Sequence, residues 1–174
     1  MKRYTLFLGI VLVLASTQVR AQSFEDHAAT LQRLPDIERL YVLKSAENAI
    51  NAKFKLMFED PINAEDSYLW AKKVIAGCYV MLWRLATESG SAALAESYRH
   101  VADVWSMNIR GELSTDDAAK EHDQLHRARR VLFESELAKV RNAPTRVDFD
   151  VLNGLSSEIT SAIYGSSVIR ASRD

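Results

Sequence analysis

Residues 72–84 read KKVIAGCYVMLWR, in which Val74 to Trp83 forms a run of ten uncharged residues between two lysines and an arginine. A helix that is apolar around its whole circumference must be covered on several sides. The run therefore predicts the central element of a helical bundle, with other helices packed around it.

The chain on both sides divides into further helices. Phe24 to Leu34 fits a short first helix, and Pro35 opens a second, with Asp36 and Glu38 placed to favour its N-terminal dipole. Ile37, Leu40, Tyr41, Ala46, Ile50, Phe54, Met57 and Phe58 keep helical spacing until Pro61 stops the run. Asn63 is placed to cap the third helix and Gly90 to end it. Ser91 begins a fourth through Leu94, Tyr98, Val101, Ala102, Trp105 and Ile109, closed by Gly111. Ser114 and Asp117 have capping-box spacing at the head of a fifth helix. That helix continues through Leu125, Ala128, Leu132, Phe133 and Leu137 to about Val140. Asn142 to Thr145 reads as a connector. Asp148 then caps a last helix with Leu152, Leu155, Ile159, Ala162 and Ile163 on one side, and Gly165 blurs its end. With only three prolines and six glycines in 174 residues, and no repeat or long linker, the expectation is one all-α domain of five or six helices, residues 22–174.

A second charge-poor stretch runs from Leu152 to Ile169, with Glu158 as its only charge. Gly154, Ser157, Ser161 and Gly165 would let another helix approach closely. Two such stretches either pack on each other within one chain or leave apolar surface for a partner, for which a homodimer is the commonest solution.

Lys2 and Arg3, the apolar run Leu6 to Ala15, and Val19-Arg20-Ala21 have the layout of a secretory signal peptide, residues 1–21, cleaved before Gln22. The apolar run is about half of a bilayer span, so no stable membrane anchor is expected after cleavage. The working location is then periplasmic or secreted. Cleavage removes three of 22 basic residues against 23 acidic ones, leaving a net charge of about −4, which argues against nucleic-acid and anionic-membrane partners. Cys78 is the only cysteine, so no intramolecular disulfide exists. Within its apolar run it reads as a buried, inert thiol, with pairing between chains as the other reading.

No GxSxG elbow, Ser-x-x-Lys motif, glycine-rich phosphate loop or CxxCH haem motif is present, so the chain leans away from an enzyme and no cofactor is expected. The best constellation is His122-Asp123-Gln124-Leu125-His126, where histidines at i and i+4 share a helix face suited to a metal ion. Third and fourth ligands are not identifiable. Asp123 and His126 have the acid–histidine spacing of di-iron bundles but lack a second copy, since Glu96 and His100 are four apart. The simpler reading places both histidines in a core-edge row with Phe133, Leu137 and Val140, beside an Asp123–Arg127 ion pair. The basic run His126 to Arg130, interleaved with Glu121, Asp123, Glu134 and Glu136, reads as a solvated face. The alternative has Arg127 and Arg130, with Trp83 as aromatic anchor, meeting an acidic protein partner. These features favour an exported, non-enzymatic helical protein that binds another protein, as an inhibitor, immunity-type antitoxin or adaptor. The alternative is a periplasmic metal- or small-ligand-binding bundle built on His122 and His126.

Overall fold

A computed structural model describes residues 24–59, 64–141 and 148–173, which form six helices and no strand. They are α1 (24–33), α2 (Asp36–Glu59), α3 (Ala64–Glu88), α4 (Ala92–Ile109), α5 (Thr115–Arg141) and α6 (Phe149–Ala171). The signal segment, Pro61, Asn63 and the Asn142 to Thr145 connector lie outside the described residues.

Short-range chemistry sets several helix ends. Gly90 (φ 83°) and Gly111 (φ 75°) adopt the left-handed conformation that L side chains resist, and each closes a helix. At the first, Ser91 N–H donates to Ala86 C=O at 2.7 Å, and at the second Glu112 N–H donates to Met107 C=O at 2.9 Å, so both satisfy carbonyls a helix end leaves bare. Ser114 Oγ accepts from Asp117 N–H at 3.1 Å and donates to Asp117 Oδ2 at 2.6 Å. The aspartate is one methylene shorter than the glutamate of a full capping box, and it meets the serine hydroxyl in place of the backbone N–H. Asp148 caps α6 by accepting from the amides of Asp150 and Val151. Ser91 caps nothing with its side chain.

α3 is the centre of the bundle. Val74, Ile75, Ala76, Cys78, Tyr79 and Leu82 are buried, and α3 packs on α4, α6 and α2. The two charge-poor stretches meet each other: a Cβ on Gly77 would sit 3.2 Å from both Cβ and Oγ of Ser167. The close approach is therefore made by Gly77 on α3. Nothing lies near Gly154 or Gly165, and α6 runs through Gly165 to Ala171. Buried Thr160 on α6 returns its hydroxyl hydrogen to Ser156 C=O at 2.8 Å, so a polar side chain fits this apolar interface without an outside partner. Cys78 is wholly buried, and burial pushes its thiol up to about 12, in keeping with an inert side chain.

α5 departs from its expected pattern. Leu132, expected in the core, is 40% exposed, and Asp123 forms no ion pair with Arg127 among the described residues. Arg129 takes the inward position, 2% exposed, and turns the helix about its axis relative to an all-apolar row. No helix among the described residues is long and apolar enough to cross a membrane.

Candidate functional site

The inner face of α2 carries Leu43, Lys44, Glu47, Ile50 and Phe54, so two charged residues stand among apolar ones. Lys44 is 2% exposed and Glu47 is fully buried, and neither can be left without partners at that depth. Lys44 Nζ reaches Glu47 Oε2 at 2.8 Å from one turn away. The other oxygen, Oε1, accepts from Arg129 through Nε at 2.9 Å and through Nη2, so the guanidinium grips a single oxygen with two N–H groups. Arg129 Nη1 donates to Ser97 Oγ at 2.7 Å, tying α5 to α4. Its guanidinium also lies between two buried tyrosine rings, 5.7 Å from the Tyr79 centroid and 5.2 Å from that of Tyr98.

Burial by itself would raise the Glu47 carboxyl, but hydrogen bonds from His126 and Arg129 and the charges of Arg129 and Lys44 outweigh it and hold it down to about 2. Burial pulls the Lys44 ammonium below its ordinary value, and Glu47 restores only part of the loss. Arg129 stays charged because Glu47 more than offsets its burial.

Two histidines of α5 join this cluster in different ways. Trp105 Nε1–H can only donate, and it lies 3.0 Å from His122 Nδ1, so that nitrogen carries the lone pair. The proton is then on Nε2, 2.9 Å from the Tyr79 hydroxyl, which passes its own hydrogen to Asn51 Oδ1 at 3.0 Å or Glu47 Oε1 at 3.2 Å. Burial, reinforced by the positive charge of Arg129, drives the His122 pKa down to about 4, so the ring is neutral at pH 7. His126 is more open, its side chain 29% exposed. Its Nδ1 lies 3.0 Å from Glu47 Oε1, a pure acceptor, and 3.2 Å from both Lys44 Nζ and Asn51 Nδ2, which are donors. Nε2 has no hydrogen-bond partner among the described residues.

Two cavities flank His126 and Asn51. One, of about 370 Å³, is walled by Phe54, Ile75, Trp105, His122 and Asp123, and is mainly apolar. The other, of about 410 Å³, is bounded by Lys44, Arg130, Phe133 and Glu134. Both volumes fall in the range of small-molecule sites.

The residues proposed from sequence are only partly brought together. His122 and His126 share the site, with Asp123 exposed at the rim of the apolar cavity. Metal ligation does not suit them, because Trp105 and Tyr79 occupy both ring nitrogens of His122. Among the described residues no three His, Cys, Asp or Glu side chains converge on one point. The histidines do sit at the core edge, His122 edge-on to the buried rings of Tyr79 and Trp105, but they also face a polar network, and Phe133 packs on the Tyr41 ring at 5.9 Å. Arg127 is exposed, Arg130 binds Glu134 at 2.8 Å, and Trp83 is half-buried on α3, with no hydrogen bond, ion pair or ring contact to either arginine among those described.

Sequence reasoning missed Lys44, Glu47, Asn51, Tyr79 and Arg129 as a group. One signal was there: Glu47 falls in the apolar row of Leu43, Ile50 and Phe54, where a solvated charge has no place. Neither a protein-family model, nor a curated protein, nor a solved structure matches this chain.

Proposed function

We propose that this protein is a non-enzymatic, exported helical receptor for a small organic ligand, held where α2, α4 and α5 surround Asn51 and His126. The observation that carries this reading is the wholly buried Glu47, bound by Arg129 and by two residues that line cavities, Lys44 and His126. A buried ion cluster is a poor device for stability, since apolar residues of similar volume often do as well or better. That two of its members line cavities favours recognition, in which fixed polar groups orient a ligand that apolar walls enclose. No serine or cysteine nucleophile is part of this arrangement, and the buried Cys78 thiol is held protonated by its surroundings.

A panel of small acids, alcohols, amines and aromatic compounds, screened by thermal shift with calorimetric confirmation, tests the proposal. Binders should raise the melting temperature of the wild type and lose affinity at least tenfold in His126→Ala. A panel in which nothing binds, or in which every binder ignores His126→Ala, refutes it.

A protein partner remains as a second reading, supported by a different feature from the charge-poor stretches that pack on each other. Val131 is 66% exposed one turn from exposed Arg127 on α5, flanked by Arg130 and by Leu132, which is 40% exposed. Cross-linking in a periplasmic extract, with Val131→Glu as control, tests that surface. The proposed export predicts a chain starting at Gln22 when mass is measured on protein from its native host.

A further inference from the structure

The charges around the polar cavity do not balance. Two buried cations, Lys44 and Arg129, face one buried carboxylate, Glu47, and among the described residues neither forms an ion pair with another acid. Among the residues lining that cavity, the only acid is Glu134, already engaged with Arg130 Nε at 2.8 Å. Donors are plentiful by contrast. An ammonium has three N–H groups, and Lys44 uses one on Glu47 at 2.8 Å; His126 Nδ1, 3.2 Å away, gives its own proton to Glu47 and takes none from the lysine. Arg130 keeps the N–H groups that Glu134 does not take, and the Asn48 amide is exposed on the same wall. Across Asn51 and His126 lies the second cavity, with Phe54, Ile75 and Trp105.

We propose that the polar cavity binds the carboxylate of a small organic monoacid, whose apolar part lies across His126 against Phe54, Ile75 and Trp105. This inference rests on the small-ligand reading and names the ligand's class. One surplus buried positive charge calls for one negative charge. A dianion such as hydrogen phosphate would replace a surplus cation by a surplus anion in the same low-dielectric place. The carboxylate is planar with two acceptor oxygens, which suits an ammonium on one side and guanidinium N–H groups on the other. The adjoining apolar wall selects against bare acetate and for an acid with a hydrocarbon or ring attached.

Calorimetric titration of the purified protein at pH 7 and constant ionic strength, with hexanoate, hexan-1-ol, acetate and phosphate, decides it. Hexanoate is expected to bind at least tenfold more tightly than the alcohol, acetate or phosphate. Lys44→Met, which keeps the apolar stem and removes the surplus charge, should abolish the preference for hexanoate over the alcohol. Arg130→Gln, outside the core, should weaken hexanoate several-fold with an unchanged melt, and it serves if Lys44→Met fails to fold. Equal affinity for hexanoate and hexan-1-ol, or a preference that survives both variants, overturns the monoacid inference while small-ligand binding stands. Silence from all four probes also overturns it, whereas the wider reading falls only if the general panel is silent too.

Discussion

Replacing Glu47 by glutamine removes one charge and leaves the shape almost unchanged, which makes it the sharpest probe of the buried cluster. In the wild type the carboxylate takes Lys44 at 2.8 Å on one oxygen, and on the other Arg129 at 2.9 Å and His126 at 3.0 Å. The amide of glutamine offers one acceptor oxygen and turns an NH₂ group toward either the lysine or the guanidinium. Two cations, each 2% exposed, then stand without a counter-charge. Breaking a buried ion pair from one side costs about 3–5 kcal/mol, against a total stability of about 5–15 kcal/mol for a domain. Lys44 can shed its proton and relieve part of this, because burial already lowers its pKa, so the lower end of that range is the better expectation. At roughly 2–4 °C per kcal/mol for a domain of this size, the midpoint should fall by about 10 °C. Thermal melts followed by far-ultraviolet circular dichroism at pH 7 measure it. The double variant Glu47→Gln/Lys44→Met should recover part of the loss, since one of the stranded cations is gone. A single variant melting within about 2 °C of wild type would show that the carboxylate is solvated or its partners mobile, and the reasoning would fail.

Acid should destabilise the fold in two stages: His122 is held at about 4 against an ordinary 6.5, so the unfolded chain takes that proton first, and stability present above pH 6.5 is lost between 6.5 and 4. Glu47, held at about 2, adds a second loss as pH falls from 4.5 toward 2; each is worth about 3 kcal/mol, and urea titrations at stepped pH should show His122→Asn lacking the first stage. Gly77→Val should cost about 1–3 kcal/mol because even a Cβ there meets Ser167 at 3.2 Å, and Ser167→Gly should return much of it; a neutral Gly77→Val would mean that α3 and α6 are not in close contact. Leu82→Asp places a charge at a fully buried position and should give no cooperative melt, so a soluble, sharply melting variant would place that face at the surface.

The helix boundaries are legible in the sequence because local chemistry sets them. Gly90 and Gly111 turn left-handed where no side chain resists, and the caps at Ser114 and Asp148 need only neighbours within three residues. The charge-free run at Val74 to Trp83 likewise announces its own burial. The site is not legible in the same way. Arg129 sits in a run of basic residues that reads as a solvated face, and what turns it inward is a carboxylate 82 positions earlier. Lys44 and Glu47 resemble an ordinary surface i,i+3 pair until α5 closes over them. His122 could be recognised as helical and facing inward, but its neutral state comes from burial and the charge of Arg129, and its tautomer from Trp105 and Tyr79 on two other helices. Partners so far apart along the chain leave no local periodicity to read.

Glu47 on α2 meets Tyr79 of α3, with His126 and Arg129 of α5, and Arg129 continues to Ser97 of α4. Apolar contacts between helices specify register by shape: if α5 slid by one turn, about 5.4 Å, aliphatic side chains would meet aliphatic ones again after repacking. The carboxylate does not allow that exchange, because the same slip removes the α5 guanidinium and imidazole together and strands a charge in the core. A single side chain thus adds an electrostatic lock to the register of α2 with α3 and α5, and the alignment of the cavity walls rests on charge as well as on hydrophobic packing.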